Sequence, residues 1–196
     1  MAEKQAPRKL SMAITKGSLD MAYAAMIIAN AARMSGVEVH LFFAFWGLDI
    51  INKHKIKNLH VATVGNPNMH PMIHFPTWLG AIPGMSAIAS WMLRKEIDKL
   101  GFPPTEEYVQ TLLDSGAHLY GCKMSMDMMQ VKQEDLIEGA GVLGAMEFIE
   151  ISEGGQILFV QDPVFHRAGE GSASPVFYFP GREPFRTPVS LTRMGV

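Results

Sequence analysis

Lys9 to Ile14 (KLSMAI) is a short apolar run cut off by Lys16-Gly17-Ser18, and it predicts a first strand. Ser18 is a good helix N-cap, and the helix expected after it runs to about Met34, where Ser35-Gly36 ends it. Leu19, Tyr23, Met26, Ile27, Asn30 and Met34 recur at helical spacing, while Ala22, Ala24, Ala25, Ala29, Ala31 and Ala32 fill the other faces. A helix that is apolar nearly all round is expected to be covered on both sides. Val37 to Trp46 (VEVHLFFAFW) is almost continuously hydrophobic, which is how a central parallel strand reads. Strand, helix and strand joined by short glycine turns make a βαβ unit with a right-handed crossover.

The alternation continues. Leu59 to Val64 predicts a third strand. Thr105 is the expected cap of a helix through about Asp114, with Glu106 and Glu107 in its first turn and Gly116 just past its end. Ala117 to Cys122 predicts a fourth strand. A helical stretch from about Gln133 to Ile151, broken near Gly139 and Gly141, leads through Gly154-Gly155 to a last strand, Gln156 to Val160. This order is that of an open, doubly wound α/β domain: a mostly parallel sheet flanked by helices. The domain is expected to span residues 1–160.

Two segments depart from that plan. Asn58 to Leu93 holds no Asp, Glu, Lys or Arg over 36 residues, and predicts an uncharged helical insert at about 65–100. Residues 161–196 hold five of the twelve prolines, together with repeated glycine, and read as an extended C-terminal arm or tail.

Charge and composition narrow the function. The 196 residues carry 17 Lys+Arg against 19 Asp+Glu, and 48% are hydrophobic, which excludes a disordered chain. The absence of a basic run argues against nucleic acid. Met1 to Arg8 reads as neither a signal nor a transit peptide. No glycine-rich dinucleotide fingerprint is present, and Lys16-Gly17-Ser18 is too short for a phosphate loop, so no cofactor is expected.

One cysteine, Cys122, rules out an intrachain disulfide and a thiolate-rich metal site. It ends the strand AHLYGC, and chemistry in open α/β sheets collects beyond the carboxyl ends of strands. Ser125 could cap a short helix there, with Asp127 in its first turn. A thiol facing that helix start would meet unpaired N–H groups, which favour thiolate over a thiol of ordinary pKa about 8.5. Lys123 could add positive charge, and Gly121 permits close approach of a backbone or ligand. Met124, Met126 and Met128 could limit solvent, although core or interface packing is the commoner use of methionine. His118 and Tyr120 share the parity of Cys122, but His118 lies roughly 13 Å along the strand, too far for proton transfer. A buried structural cysteine is the equally open alternative.

Lys16-Gly17-Ser18-Leu19-Asp20, the Ala-rich helix, the strand ending Phe42 to Gly47, and Gly121-Cys122-Lys123-Met124-Ser125-Met126-Asp127 together resemble the DsrE/DsrF/DrsH-like family, in its longer branch often labelled peroxiredoxin-like. The resemblance runs from about Lys9 to Val160. It implies a flavodoxin-type α/β fold, a homo-oligomer, and a cysteine carrying sulfane sulfur as a persulfide or thiosulfonate; the single thiol fits a reducing, cytoplasmic compartment. It also implies partners: rhodanese-like donors and TusA-like carriers. The family cysteine maps onto Cys122. Lys16, Gly17 and Ser18, with Gly121, Lys123, Met124, Ser125 and Met126, are expected to line the site.

Three rival readings are weaker. A thiol peroxidase would need a Pro-x-x-x-Thr-x-x-Cys motif, and Ala117 to Gly121 supply neither Pro nor Thr. A membrane-associated or scaffolding oligomer could be built on Phe75 to Leu93, but Pro76, Gly80, Pro83 and Gly84 break that stretch, and a lid or subunit contact explains it better. Met69-His70-Pro71-Met72-Ile73-His74 has ligands soft enough for copper(I), but no nearby carboxylate or thiol, and no metal site is expected.

Overall fold

The computed structural model describes residues 8–61 and 84–160. Lys9–Ile14 forms β1, Leu19–Met34 α1 and Glu38–Phe43 β2. Two 3-10 turns follow, Phe45–Ile50 and Ile56–Asn58. The chain then forms α2 (Met85–Lys99), α3 (Thr105–Asp114), β3 (His118–Cys122) and α4 (Lys123–Met129). A 3-10 turn at Gln133–Asp135, β4 (Gly141–Leu143), α5 (Ala145–Ile151) and β5 (Gln156–Val160) complete it. The five strands lie in the order β4-β3-β2-β1-β5, every neighbouring pair parallel.

That order places the helices. Three successive crossovers carry the chain from β1 to β4 in one direction, so with right-handed connections their helices share one face. The last crossover, from β4 to β5, runs back past the whole sheet and must put α5 on the other face. Packing agrees. Met12, Ile14, Val39, Leu41, Phe43 and Leu119 point into the large core with Leu19, Met26, Tyr108, Leu112 and Met126. The alternate residues Ala13, Phe42 and Cys122 join Ala44 and Phe148 of α5 in a small second cluster.

Three sequence expectations need correction. The run Val37 to Trp46 is not strand throughout: β2 stops at Phe43, because after the last ladder bond, from Ala44 N–H to the Ile14 carbonyl (2.9 Å), Phe45 turns to φ +49°. Leu59 to Val61 is not a strand, since Val61 N–H donates to Ser90 Oγ (2.9 Å) and Arg94 Nη2 to the Leu59 carbonyl (2.8 Å), tying this stretch to α2 rather than to the sheet. Residues 62–64 of that expected strand lie outside the described residues, as do most of the uncharged insert, including Met69 to His74, and the C-terminal arm. Gln133 to Ile151 is not one broken helix, because Gly141–Leu143 pairs with Tyr120–Cys122 as β4.

Caps differ too. Thr105 is the first residue of α3, buried, with Pro104 at the N-cap. Ser18 does hold the N-cap position of α1, yet its hydroxyl bonds to no backbone N–H, and Ser18 Oγ is buried without a hydrogen-bond partner. Within the single chain α1 is covered on one side only, leaving Ile27 and Ile28 exposed.

Gly17 and Gly47 join the first two βα connections at close quarters. A Cβ on Gly17 would stand 2.2 Å from the Trp46 carbonyl oxygen, and one on Gly47 the same 2.2 Å from the Ile14 carbonyl oxygen. The two loops press backbone to backbone, an approach only glycine permits.

Candidate functional site

Cys122 closes β3 and occupies the N-cap position of α4, which begins at the very next residue. Ser125 therefore caps nothing: it lies inside α4 and is buried, and Asp127 falls beyond the first turn. The strand passes into helix without a loop, so the sulfur stands where α4 begins.

The thiol is 7% exposed. Ala13, Phe42, Ala44 and Phe148 are its buried neighbours in the small cluster, with Tyr120, Leu143 and Ile151 packed against them. Phe148 stacks on Phe42 with ring centroids 4.5 Å apart, so α5 roofs this part of the sheet with an aromatic pair. Sequence reasoning did not single out Ala13, Phe42, Ala44 or Phe148. Their meeting depends on strand order and on the late return of α5, neither of which leaves a local signal.

The other expected lining residues divide between two places. Gly121 and Met126 turn to the opposite side from the thiol, where Met126 belongs to the large core and a Cβ on Gly121 would meet its Sδ at 2.9 Å, while Ser125 is buried within α4. Lys123 and Met124 are exposed on the outer side of α4, as is Met128. Lys16, Gly17 and Ser18 line a separate cleft with Trp46, Asp49 and Lys55. Cys122 is not among the residues lining that cleft.

Below the thiol on the same sheet face, His40 pairs in register with Ser11 on one side and His118 on the other. The His40 and His118 rings stack at 5.0 Å, and Tyr120 stacks on both. His40 Nε2 lies 3.0 Å from Glu38 Oε1, while His40 Nδ1 and Ser11 Oγ are buried without partners. Burial pushes the imidazole below its ordinary value of 6.5, and the hydrogen bond and charge of Glu38, which pull upward, do not overcome it; His118 and Lys9 add to the downward shift. The sign for stability follows. The unfolded chain takes up a proton more readily than the native one, so this contribution is complete above about pH 6.5 and is lost as pH falls toward the lowered native value. Wild type is expected to lose more urea resistance than His40→Gln between about pH 7 and pH 5.5. Equal losses in the two proteins would remove His40 from the acid response.

The family model described as the DsrE/DsrF/DrsH-like family matches residues 6–159. The chain belongs to that family. Among curated relatives of this DsrE-like chain, the "Sulfur carrier protein DsrE2" of Allochromatium vinosum is 33% identical over 149 residues, covering 74% of this chain and 92% of that protein. The uncharacterized protein YrkE of Bacillus subtilis is 21% identical over 155 residues, covering 78% and 97%. Two solved structures also resemble the DsrE-like chain, each covering 78% of it and 98% of the other. They are MTH1491 of Methanobacterium thermoautotrophicum, a protein of unknown function (TM-score 0.48, 10% identity), and YchN of E. coli (TM-score 0.45, 13% identity). No helix among the described residues is long and apolar enough to cross a membrane, and those residues contain no cluster of three His, Cys, Asp or Glu suited to a metal ion.

Proposed function

We propose that this protein carries sulfane sulfur on Cys122 and passes it between protein thiols. The observation that carries the reading is the place of the chain's one cysteine: it stands at the carboxyl end of a central-sheet strand and at the start of α4. Family membership and the relative named a sulfur carrier support the same chemistry.

The step needs no cofactor. The Cys122 thiolate attacks the outer sulfur of a donor persulfide; a new S–S bond forms on Cys122, the donor's S–S bond breaks, and the donor leaves as a thiolate. Attack on an inner sulfur of tetrathionate expels thiosulfate and leaves a thiosulfonate on Cys122. In either case an acceptor thiolate repeats the exchange in the forward direction. A lone cysteine suits a carrier because no second thiol of the same chain is present to discharge the persulfide as an internal disulfide. The aromatic pair Phe42–Phe148 excludes water from the inner side of the sulfur, and release toward a partner runs from the α4 side. By the family resemblance the donor is rhodanese-like and the acceptor TusA-like, and the single thiol suits the reducing cytoplasm.

The carrier works as a homo-oligomer in this reading. Ile27, Ile28, Trp46, Met146, Ile149 and Phe159 are large apolar side chains left exposed by the single chain, and such surface marks contacts. A monomer in sedimentation equilibrium at micromolar concentration would remove this part of the proposal.

The central test is intact mass after incubation with thiosulfate, tetrathionate or polysulfide, beside Cys122→Ala. A sulfur-bearing adduct on wild type alone is expected. No adduct, together with resistance of the folded protein to alkylation, would make Cys122 a core thiol, in keeping with its burial.

A further inference from the structure

α5 covers the sheet with Phe148 and Ile151 and turns the rest of its length outward. Met146 (79% exposed) and Ile149 (59%) stand there among Glu147 and Glu150, with Glu153 just past the helix end. Large apolar side chains left in water mark a contact, and methionine suits contacts that must adapt. From Ala145 to Val160 the charged residues are these glutamates alone, so this stretch is more negative than the whole chain, whose net charge is −2. Glu147 Oε2 accepts the Gly144 N–H (2.6 Å), and none of these glutamates joins an ion pair among the described residues. Lys9 does reach α5, but its Nζ donates to the Ile151 carbonyl (2.6 Å), offsetting the negative end of the helix rather than a glutamate.

The thiol lies beside this face. Cys122 and Leu143 are register partners on β3 and β4, and each strand passes almost at once into a helix, α4 at Lys123 and α5 at Ala145. Met124 (70% exposed), just after the thiol, and Met146, just after Leu143, therefore rise from adjacent strand ends. The seven residues of α5 span about 10 Å. A standard protein contact covers roughly 800 Å² on each partner, so one footprint takes in α5 and the start of α4 together.

Charge selects the occupant. A second copy of this chain, docked about a two-fold axis, would bring the same glutamates face to face, and like charges repel. The exposed residues of α1 are Ala24, Ile27, Ile28, Ala31 and Met34, all uncharged, so that helix is the one suited to contact between like chains. A basic protein surface instead meets α5 with complementary charge, which also speeds encounter. Building on sulfur carriage by Cys122, we propose that the outer face of α5 is where the sulfur-exchange partner docks, and that this partner is a protein with a basic, partly apolar surface around an exposed thiol.

Two synthetic peptides test it: acetyl-Lys-Leu-Lys-Gly-Cys-Gly-Lys-Leu-Lys-amide and its counterpart with glutamate at each lysine. The first arm needs no sulfur chemistry. Forms with serine for cysteine are titrated into the ¹⁵N-labelled full chain. Saturable shifts are expected at Met124, Met146, Ile149 and Glu150 with the lysine peptide, at a midpoint lower by about tenfold or more than for the glutamate one. Glu150→Lys combined with Glu153→Lys should raise that midpoint by about tenfold or more, with circular dichroism unchanged. Absent or linear shifts, shifts confined elsewhere, equal binding of the two peptides, or undiminished binding by the folded variant would overturn the docking face. A changed sedimentation mass of that variant would overturn it too, by giving the face to a second copy. The second arm loads Cys122 with polysulfide and follows discharge by intact mass: the peptide thiolate takes the outer sulfur and Cys122 leaves as thiolate. Each rate is divided by that peptide's rate with bis(2-hydroxyethyl) disulfide, a neutral reference. The lysine peptide should remain faster by about tenfold or more at low salt, with the gap closing at high salt. Equal corrected rates would overturn the role of the face in sulfur exchange while leaving carriage intact. Failure of Cys122 to take up sulfur would end the carrier reading and with it the partner's thiol, whereas the first arm would still decide the basic docking face.

Discussion

Gly47→Ala is expected to cost about 3 kcal/mol or more of stability. The added methyl would stand 2.2 Å from the Ile14 carbonyl oxygen and 2.9 Å from its carbon. Neither is the end of a flexible side chain that could swing aside. The carbonyl is the last of β1, and it already accepts the Ala44 N–H that ends β2. Moving it would loosen the junction of the two central strands, where Ile14, Phe43 and Leu48 are packed with almost no exposure. Urea unfolding followed by far-ultraviolet circular dichroism measures the loss. A change below about 1 kcal/mol would mean that the 3-10 turn can shift as a unit, and that the two loops are not locked as described.

Phe148→Ala has the second large effect, and it acts on the thiol. Phe148 is 3% exposed, stacks on Phe42, and is the residue through which α5 covers the cluster around Cys122. Truncation of such a ring costs about 3–5 kcal/mol. It also opens the inner side of the thiol, so alkylation of Cys122 by iodoacetamide under native conditions should quicken by on the order of tenfold or more. General loss of stability could mimic that result. Leu112→Ala supplies the control, because Leu112 is equally buried but belongs to the core on the other sheet face. Its cost is also a few kcal/mol. If Leu112→Ala speeds alkylation as much as Phe148→Ala does, access to Cys122 arises from global unfolding and α5 is no shield.

Where local chemistry was strong, the elements were legible to the residue. β1 and β5 have the bounds expected for them, an apolar run between turn residues and a glycine pair before an apolar strand, and α3 ends where glycine past its end predicts, though it begins at Thr105 itself rather than after it. The failures share a cause. β4 is three residues long, too short for any periodicity, and is a strand only because β3 offers it a partner. The end of β2 was hidden because Ala44, Phe45 and Trp46 continue its apolar composition while the backbone has already turned. Leu59 to Val61 has the residues of a strand, but its hydrogen bonds go to the side chains of α2 and to the first N–H of α1. Ser18 is the right residue at the right position for a cap, yet its hydroxyl is buried without closing on the helix.

By itself the sequence determined the alternation of strands and helices, the parallel sheet that this alternation requires, and the position of the sole thiol at a strand's carboxyl end. It also determined that His118, Tyr120 and Cys122 share one side of β3, since side chains alternate with a period of two whatever the surroundings. Only the tertiary structure decided what that side meets. Strand order sends the β4–β5 crossover back across the sheet, so α5 and Phe148, rather than α1, lie over Cys122, while His40 arrives beside His118 through register. The same order separates Lys16 to Ser18 from the thiol and joins them to Trp46 and Lys55 in a cleft of their own. Periodicity is a local property of the backbone, but which faces come together depends on contacts far apart in sequence, whose energies no single segment encodes.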